Sequence, residues 1–315
     1  MKIFCRQSVK EMVPFREQFR VVKEGMNFFG NYFNLKYPFD KYDQIYCPEF
    51  RIGAMENIGA ITFSEKFLVP LDERTSEHDT RHMYVALHEL SHMWFGDLVT
   101  MKWWEDLWLK ESFADFMGAT CITQAPALAN FKNSECLFIG FKFIALDFDS
   151  RYFTHPILAP IKHTEDAANV FDQISYDKGA SFILMASYMV GQKVMQEATS
   201  KYLNKYKYKN TVLNDYIDCM EEAYKNHHND NFNVRAWTDT WLKTKGLNIL
   251  EPRISLSANG KTISKFEVVQ RCERNSDEVF RMQKINVAFY DSDHNETIFT
   301  ELLVKDQEVT EFEEL

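Results

Sequence analysis

Apolar residues recur every three to four positions from Phe15 to Tyr32, and again at Met83, Ala86, Leu87, Leu90 and Trp94, which predicts two one-sided helices. The second has its own punctuation. Ser76 reads as its N-cap with Asp79 three residues on, and Gly96 supplies a left-handed stop after about 18 helical residues. Another helix, from about Trp104 to Thr123, follows a turn of only a few residues, so the two should lie side by side and roughly antiparallel. Helical spacing continues over 166–190, 192–206, 212–226 and 233–245. Ahead of these helices stand short β-rich runs, Gln44–Tyr46 and Ala60–Phe63.

After Pro252 the period changes from helical to alternating. ISLSANGKTISKFEVVQ alternates around Asn259-Gly260, a two-residue hairpin signal, and KINVAFYDSDHNETIFTELLVKD reads as a second strand pair. The pattern predicts an α+β chain with a mostly helical domain at 1–250 and a small β-sandwich module at 251–315. Four strands in about 60 residues are thin for a closed sandwich, so that module is expected to be incomplete or to expose an edge.

Composition narrows the class. Of 315 residues, 45% are hydrophobic and 26% charged, enough apolar surface for a core. The balance of 36 Lys and Arg against 46 Asp and Glu gives net −10, which argues against binding nucleic acid through its phosphates. No stretch has the roughly 18 to 20 apolar residues that span a bilayer, and MKIFCRQSVKEM has no apolar signal core, so the expected location is cytoplasmic. The six cysteines, Cys5, Cys47, Cys121, Cys136, Cys219 and Cys272, include no CxxC, and reduced, mostly buried thiols are expected.

The chemistry concentrates in His88-Glu89-Leu90-Ser91-His92. Four residues are just over one helical turn, so both imidazoles project from one face and can hold a single Zn²⁺. Glu89 then lies beside the metal, placed to take a proton from a water whose pKa the metal lowers to about 7. Chance HExxH matches arise in only a few per cent of such chains, roughly. A catalytic zinc needs a third ligand, and Glu111, on the neighbouring helix with eighteen residues intervening after His92, can return to it. Glu105, Asp106 and Asp115 flank Glu111; a solvated helix face is the plain expectation, with Asp115 the best placed to support a ligand.

HELSHMWFGDLVTMKWWEDLWLKESFAD resembles the zinc aminopeptidases of the gluzincin clan, the aminopeptidase N and puromycin-sensitive aminopeptidase family. Upstream, Gly53-Ala54-Met55-Glu56-Asn57 matches the family's GAMEN exopeptidase motif, and downstream Ile174-Ser175-Tyr176-Asp177-Lys178-Gly179-Ala180 matches its catalytic tyrosine segment. The resemblance implies a thermolysin-like metallopeptidase domain at 1–250 and removal of N-terminal residues from peptides with a free N-terminus. It implies one zinc on His88, His92 and Glu111, with Glu89 as general base and then acid. Tyr176 would donate to the oxyanion. Glu56 would bind the substrate ammonium, and the backbone at Gly53 and Ala54 would pair with the substrate strand.

Two departures bear on these expectations. Lys110 and Ser112 replace the Asn and Gly common around this glutamate, and Lys110 is expected to point away from the metal into solvent. The N-terminal β domain and the large helical domain usual in the family are not in this sequence, so a more open site, weaker amine anchoring and apolar surfaces suited to missing domains or a partner chain are expected. The rival reading is a catalytically impaired truncated paralogue acting as a binding or scaffold chain, against which retention of Glu89 and Tyr176 counts. Epoxide hydrolysis, a minority activity in the family, is a third. Of the other histidines, His78 and His82 are expected at the surface of the first turn and His155 to order the loop ahead of Tyr176. His163, His227, His228 and His294 are assigned no role.

Overall fold

A small mixed sheet, helices stacked beside it and three further small sheets make up the protein in the computed structural model, which describes residues 1–131, 134–260, 262–291 and 295–312. His294 lies outside the described residues. The mixed sheet comprises β1 (Ile3–Phe4), β2 (Asp43–Cys47), β3 (Ala54–Met55) and β4 (Ala60–Ser64) in the order β1-β2-β4-β3. Strands β1, β2 and β4 are parallel. The short β3 runs antiparallel to β4 and forms an edge.

Helix α1 (Phe15–Tyr32) occupies the predicted span and buries Val21, Val22 and Phe29 in the main core. Helix α2 (Ser76–His92) starts one residue differently from expectation. Its N-cap is Thr75, whose hydroxyl accepts from the His78 N–H at 3.1 Å, while Asp79 pairs with Arg74. Gly96 has the expected positive φ, +120°, but sits beyond the helix end in the connection. That connection is longer than the expected short turn: it holds β5 (Val99–Met101), which pairs in parallel with β6 (Lys209–Thr211), and a tight turn at Trp104–Asp106.

Helix α3 (Leu107–Gln124) is buried nearly all round and packs antiparallel to α2. Glu111 meets His88 and His92, whereas Asp115, one turn later, meets His88 and the earlier Tyr84. Gly118 permits this approach, since a Cβ there would stand 3.1 Å from the His88 amide nitrogen.

Helix α4 (Cys136–Asp149) has no counterpart in the predicted elements. Its LFIGFKFIALDF run is apolar on every side and therefore shows no stripe. The stretch expected as one helix over 166–190 is broken into α5 (Thr164–Ala167), a wide π-type turn at Ile174–Lys178, and α6 (Gly179–Val190). Helices α7 (Gln192–Tyr206), α8 (Leu213–His227) and α9 (Val234–Leu242) fall where the periodicity put them.

Beyond α9 the chain is all strand. An antiparallel sheet of β7 (Asn248–Leu256), β8 (Ile263–Cys272) and β11 (Val309–Phe312) accompanies a hairpin of β9 (Gln283–Tyr290) and β10 (Glu296–Val304). β11 is a fifth strand where four were expected. The β7–β8 loop closes through Ser257 N–H to the Thr262 carbonyl, so it is longer than the two-residue turn expected; only Gly260 of the Asn-Gly pair has positive φ. Phe266 and Val268 of β8 and Leu302 and Val304 of β10 form a second, smaller apolar cluster shared by both sheets.

No disulfide forms among the described residues. Cys121 and Cys219 are buried as expected, but Cys5, Cys47 and Cys272 are half-buried and Cys136 is exposed. No described helix is long and apolar enough to cross a membrane.

Candidate active site

His88 and His92 lie on the last turn and a half of α2, and both rings turn toward α3. Their Nε2 atoms are 3.1 Å apart, and Glu111 Oε2 stands 3.7 Å from the first and 3.3 Å from the second. Among the described residues this is the one group of three or more His, Cys or carboxylate side chains whose ligand atoms converge. The outer face of each ring is tied down: His88 Nδ1 pairs with Asp115 Oδ1 at 2.7 Å, and His92 Nδ1 with the Phe95 carbonyl at 2.9 Å. Both outer partners are acceptors, so each Nδ1 carries the hydrogen and each Nε2 directs a lone pair inward. Two lone pairs face to face at that distance repel unless a cation lies between them. The residues present therefore fit a divalent metal ion.

Asp115 is not solvated helix face. It is buried and also accepts from the Tyr84 hydroxyl. Asp106 is likewise buried and accepts from the Leu213 amide at 3.0 Å, leaving only Glu105 of the three exposed.

Glu89 is 4% exposed, and its Oε2 is buried with no hydrogen-bond partner. Burial pushes its carboxyl up to about 7, offset in part by the neighbouring imidazoles of His88 and His92. Burial also opposes ionisation of Glu111, yet the neighbouring His92 and His88 imidazoles and the Lys110 ammonium together hold that carboxyl well below its usual range.

Tyr176 comes from the π-type turn, where its ring lies parallel to that of His88 with centroids 6.3 Å apart, and Phe171 meets it edge-on at 5.1 Å. Burial first, and then Glu111, hold its hydroxyl well above the ordinary phenol range. The turn is held as the sequence suggested: His155 Nε2 pairs with Asp172 Oδ2 at 3.1 Å, and Asp172 Oδ1 accepts from the Ile174 amide at 2.9 Å. Ser112 adds a link that spacing could not show, donating from its hydroxyl to the Ser175 carbonyl at 2.7 Å.

The Gly53–Asn57 segment supplies the far wall. Ala54 and Met55 form edge strand β3, whose free side can accept an extended chain; the Gly53 carbonyl and the Asn57 side chain are fastened to Ser64 and Thr62 of β4. Glu56 follows this strand and is 7% exposed.

Lys110 corrects the expectation made for it. Its side chain is 15% exposed and points inward; its Nζ pairs with Glu56 Oε1 and lies 2.9 Å from Glu111 Oε1. Burial works against this ammonium, but Glu111 and Glu56 outweigh it and hold its pKa above the ordinary lysine value. Asp97, which the sequence did not single out, is half-buried, with an Oδ2 that is enclosed and unpartnered; burial pushes its carboxyl up to about 7. Its position after Phe95-Gly96 gave no signal, because it belongs to neither the His88–His92 helix nor a spaced pair.

A family model, "Peptidase family M1 domain", matches residues 17–241, about seven tenths of the chain and a span that holds every site residue named above. The chain belongs to peptidase family M1. Among the similar proteins, aminopeptidase N of Streptomyces lividans is 35% identical over 92% of this chain, and leucyl aminopeptidase of Saccharolobus solfataricus 33% identical over 95%. Glutamyl aminopeptidase of Sus scrofa is 34% identical over 73%. The M1 chain described here spans 34%, 36% and 24% of the lengths of these relatives.

Proposed function

We propose that this M1 chain is a zinc-dependent aminopeptidase that hydrolyses the first peptide bond of peptides with a free N-terminus. The observation that carries the reading is the inward triangle of His88 Nε2, His92 Nε2 and Glu111 Oε2, with edges of 3.1, 3.3 and 3.7 Å. A tetrahedral zinc with ligand bonds of roughly 2.0 to 2.1 Å has ligand–ligand edges of about 3.3 to 3.4 Å. Two neutral imidazoles and one carboxylate also suit zinc chemically. A bound zinc ion supplies a lowered pKa, about 7, for the attacking water and polarises the scissile carbonyl.

The residues of the chain divide the remaining work. Glu89 takes the proton of the attacking water on its unpartnered carboxylate oxygen and returns it to the departing amine. A carboxyl poised near neutrality can do both. Tyr176 keeps its proton and donates a hydrogen bond to the oxygen of the tetrahedral intermediate. Strand β3 pairs with the extended substrate, and Glu56 at its end anchors the α-ammonium, so that only the first peptide bond reaches the reacting groups. In this reading residues 1–250 form the thermolysin-like catalytic domain and 251–315 a partial β-sandwich. The unpaired cysteines support a cytoplasmic setting.

The test is turnover of an aminoacyl fluorogenic amide by the zinc-loaded chain, with its N-acetylated counterpart and with chelator. Turnover that is lost on chelation, restored by zinc and markedly slower on the blocked substrate is expected. Equal cleavage of blocked and free substrates would make the protein an endopeptidase, and a metal-replete chain with no turnover would favour the scaffold reading.

A further inference from the structure

Lys110 sits where the proposed reaction needs a vacancy. An α-ammonium bound at Glu56 would be a small cation with N–H donors directed at a buried carboxylate, and the Lys110 ammonium is already that group. It is held there from two sides, by Glu56 from the end of β3 and by the outer oxygen of Glu111, whose other oxygen faces the imidazoles. Its path is built into the backbone. Gly96, at φ +120°, leaves bare the surface that the lysine stem crosses, and a Cβ on it would stand 3.1 Å from Lys110 Cδ. Lys110 is also the ion-pair partner of Glu56 among the described residues.

We propose that Lys110 is a specificity-determining residue: an internal cation that competes with the substrate's amino terminus for Glu56 and so weakens recognition of a free N-terminus. The inference rests on Glu56 being the amine anchor. An incoming ammonium has two routes, and both are costly. Sharing Glu56 brings two like charges together in a buried site, and displacing Lys110 strips a buried ammonium of one of its two carboxylates. A neutral residue at 110 removes both costs, because Glu56 then has no competing cation.

The experiment compares binding of leucine hydroxamate and its desamino analogue to the zinc-loaded full chain by calorimetry. The ratio of the two dissociation constants isolates amine recognition, because both probes present the same hydroxamate to the metal site and any change in metal affinity cancels. Relative to the native chain, this ratio should rise about 10- to 100-fold in Lys110→Gln and in Lys110→Asn, the range expected when a hydrogen bond to a charged group is gained. Lys110→Arg, which keeps the cation, should stay near the native ratio. Adding Glu56→Gln to Lys110→Gln should abolish the gain.

The outcomes separate the two claims. An unchanged ratio in both neutral variants, with Glu56→Gln lowering it in the native background, overturns the competition and leaves the anchor standing. A ratio indifferent to Glu56→Gln in every background brings down the anchor and the competition with it. In turnover Lys110→Gln and Lys110→Asn should lower KM for aminoacyl amides, and Lys110→Arg should not.

Discussion

The α2–α3 layer and the strands after residue 247 bury polar groups by opposite rules. Between the strands the buried cation Arg281 is fully engaged: its guanidinium donates to Thr244, Asn248 and the Lys245 carbonyl, and its face lies over Trp241. Among the described residues, no buried side-chain N or O atom from 248 to 312 lacks a hydrogen-bond partner. All the atoms that do, Glu89 Oε2 and Asp97 Oδ2 among them, fall before residue 190. A group left unpaired in a low-dielectric interior costs free energy, and for Glu89, beside the His88, His92 and Glu111 cluster, that cost points to use. The strand region satisfies its buried polar groups, and the helical layer leaves some of its own unpaired beside the candidate site.

That contrast gives the largest expected effect to a change that barely alters shape. Glu89→Gln keeps the size of the side chain and leaves His88, His92 and Glu111 untouched. It should therefore retain stoichiometric metal while losing about 10² to 10⁴ in turnover. Metal analysis and steady-state rates on one preparation check both halves, and a fully active Glu89→Gln would remove the proton carrier from the scheme.

The converse belongs to the strands. Phe266 is 2% exposed in the second apolar cluster, with Phe289 edge-on at 5.2 Å. Phe266→Ala should cost about 3 to 5 kcal/mol of stability in that region, read by denaturant unfolding. Metal content should be unchanged at temperatures where the strands remain folded. Loss of metal in step with the strands would show that the two regions do not behave as separate units.

How much of this was legible in the chain follows the same divide. Helices with one apolar face, α1 and α7, stand where their periodicity puts them, and the His88, Glu89, His92 and Glu111 constellation follows from helical spacing and a returning carboxylate. Helix α4 was invisible because a helix apolar on all sides has no stripe. The break within 166–190 was invisible because tertiary partners, Asp172 on the Ile174 amide and Ser112 on the Ser175 carbonyl, set the turn carrying Tyr176. Lys110 was misjudged for a related reason. Its place on the helix is local, but its direction is decided by a carboxylate 54 residues away.

His82 offers the mildest test of the contrast, from the structural side of α2. Expected at the surface, it is fully buried: the mixed sheet packs over the start of the helix, placing the Tyr46 hydroxyl 2.7 Å from its Nε2 and the Phe67 ring parallel to it at 5.4 Å. Burial, with smaller contributions from His78 and Arg74, pushes its pKa down to about 3, against about 6.5 for a free histidine. The unfolded chain therefore binds a proton between these values that the folded chain refuses, and stability falls as pH drops below about 6.5. At pH 5 the loss from this one group is about 2 kcal/mol. His82→Gln, which can keep a hydrogen bond to Tyr46, should flatten that part of the stability profile and leave the neutral-pH metal content alone. Unfolding midpoints from pH 7 to pH 4 decide it, and an acid limb equally steep in both proteins would assign the loss to the carboxylates and imidazoles of the metal site instead.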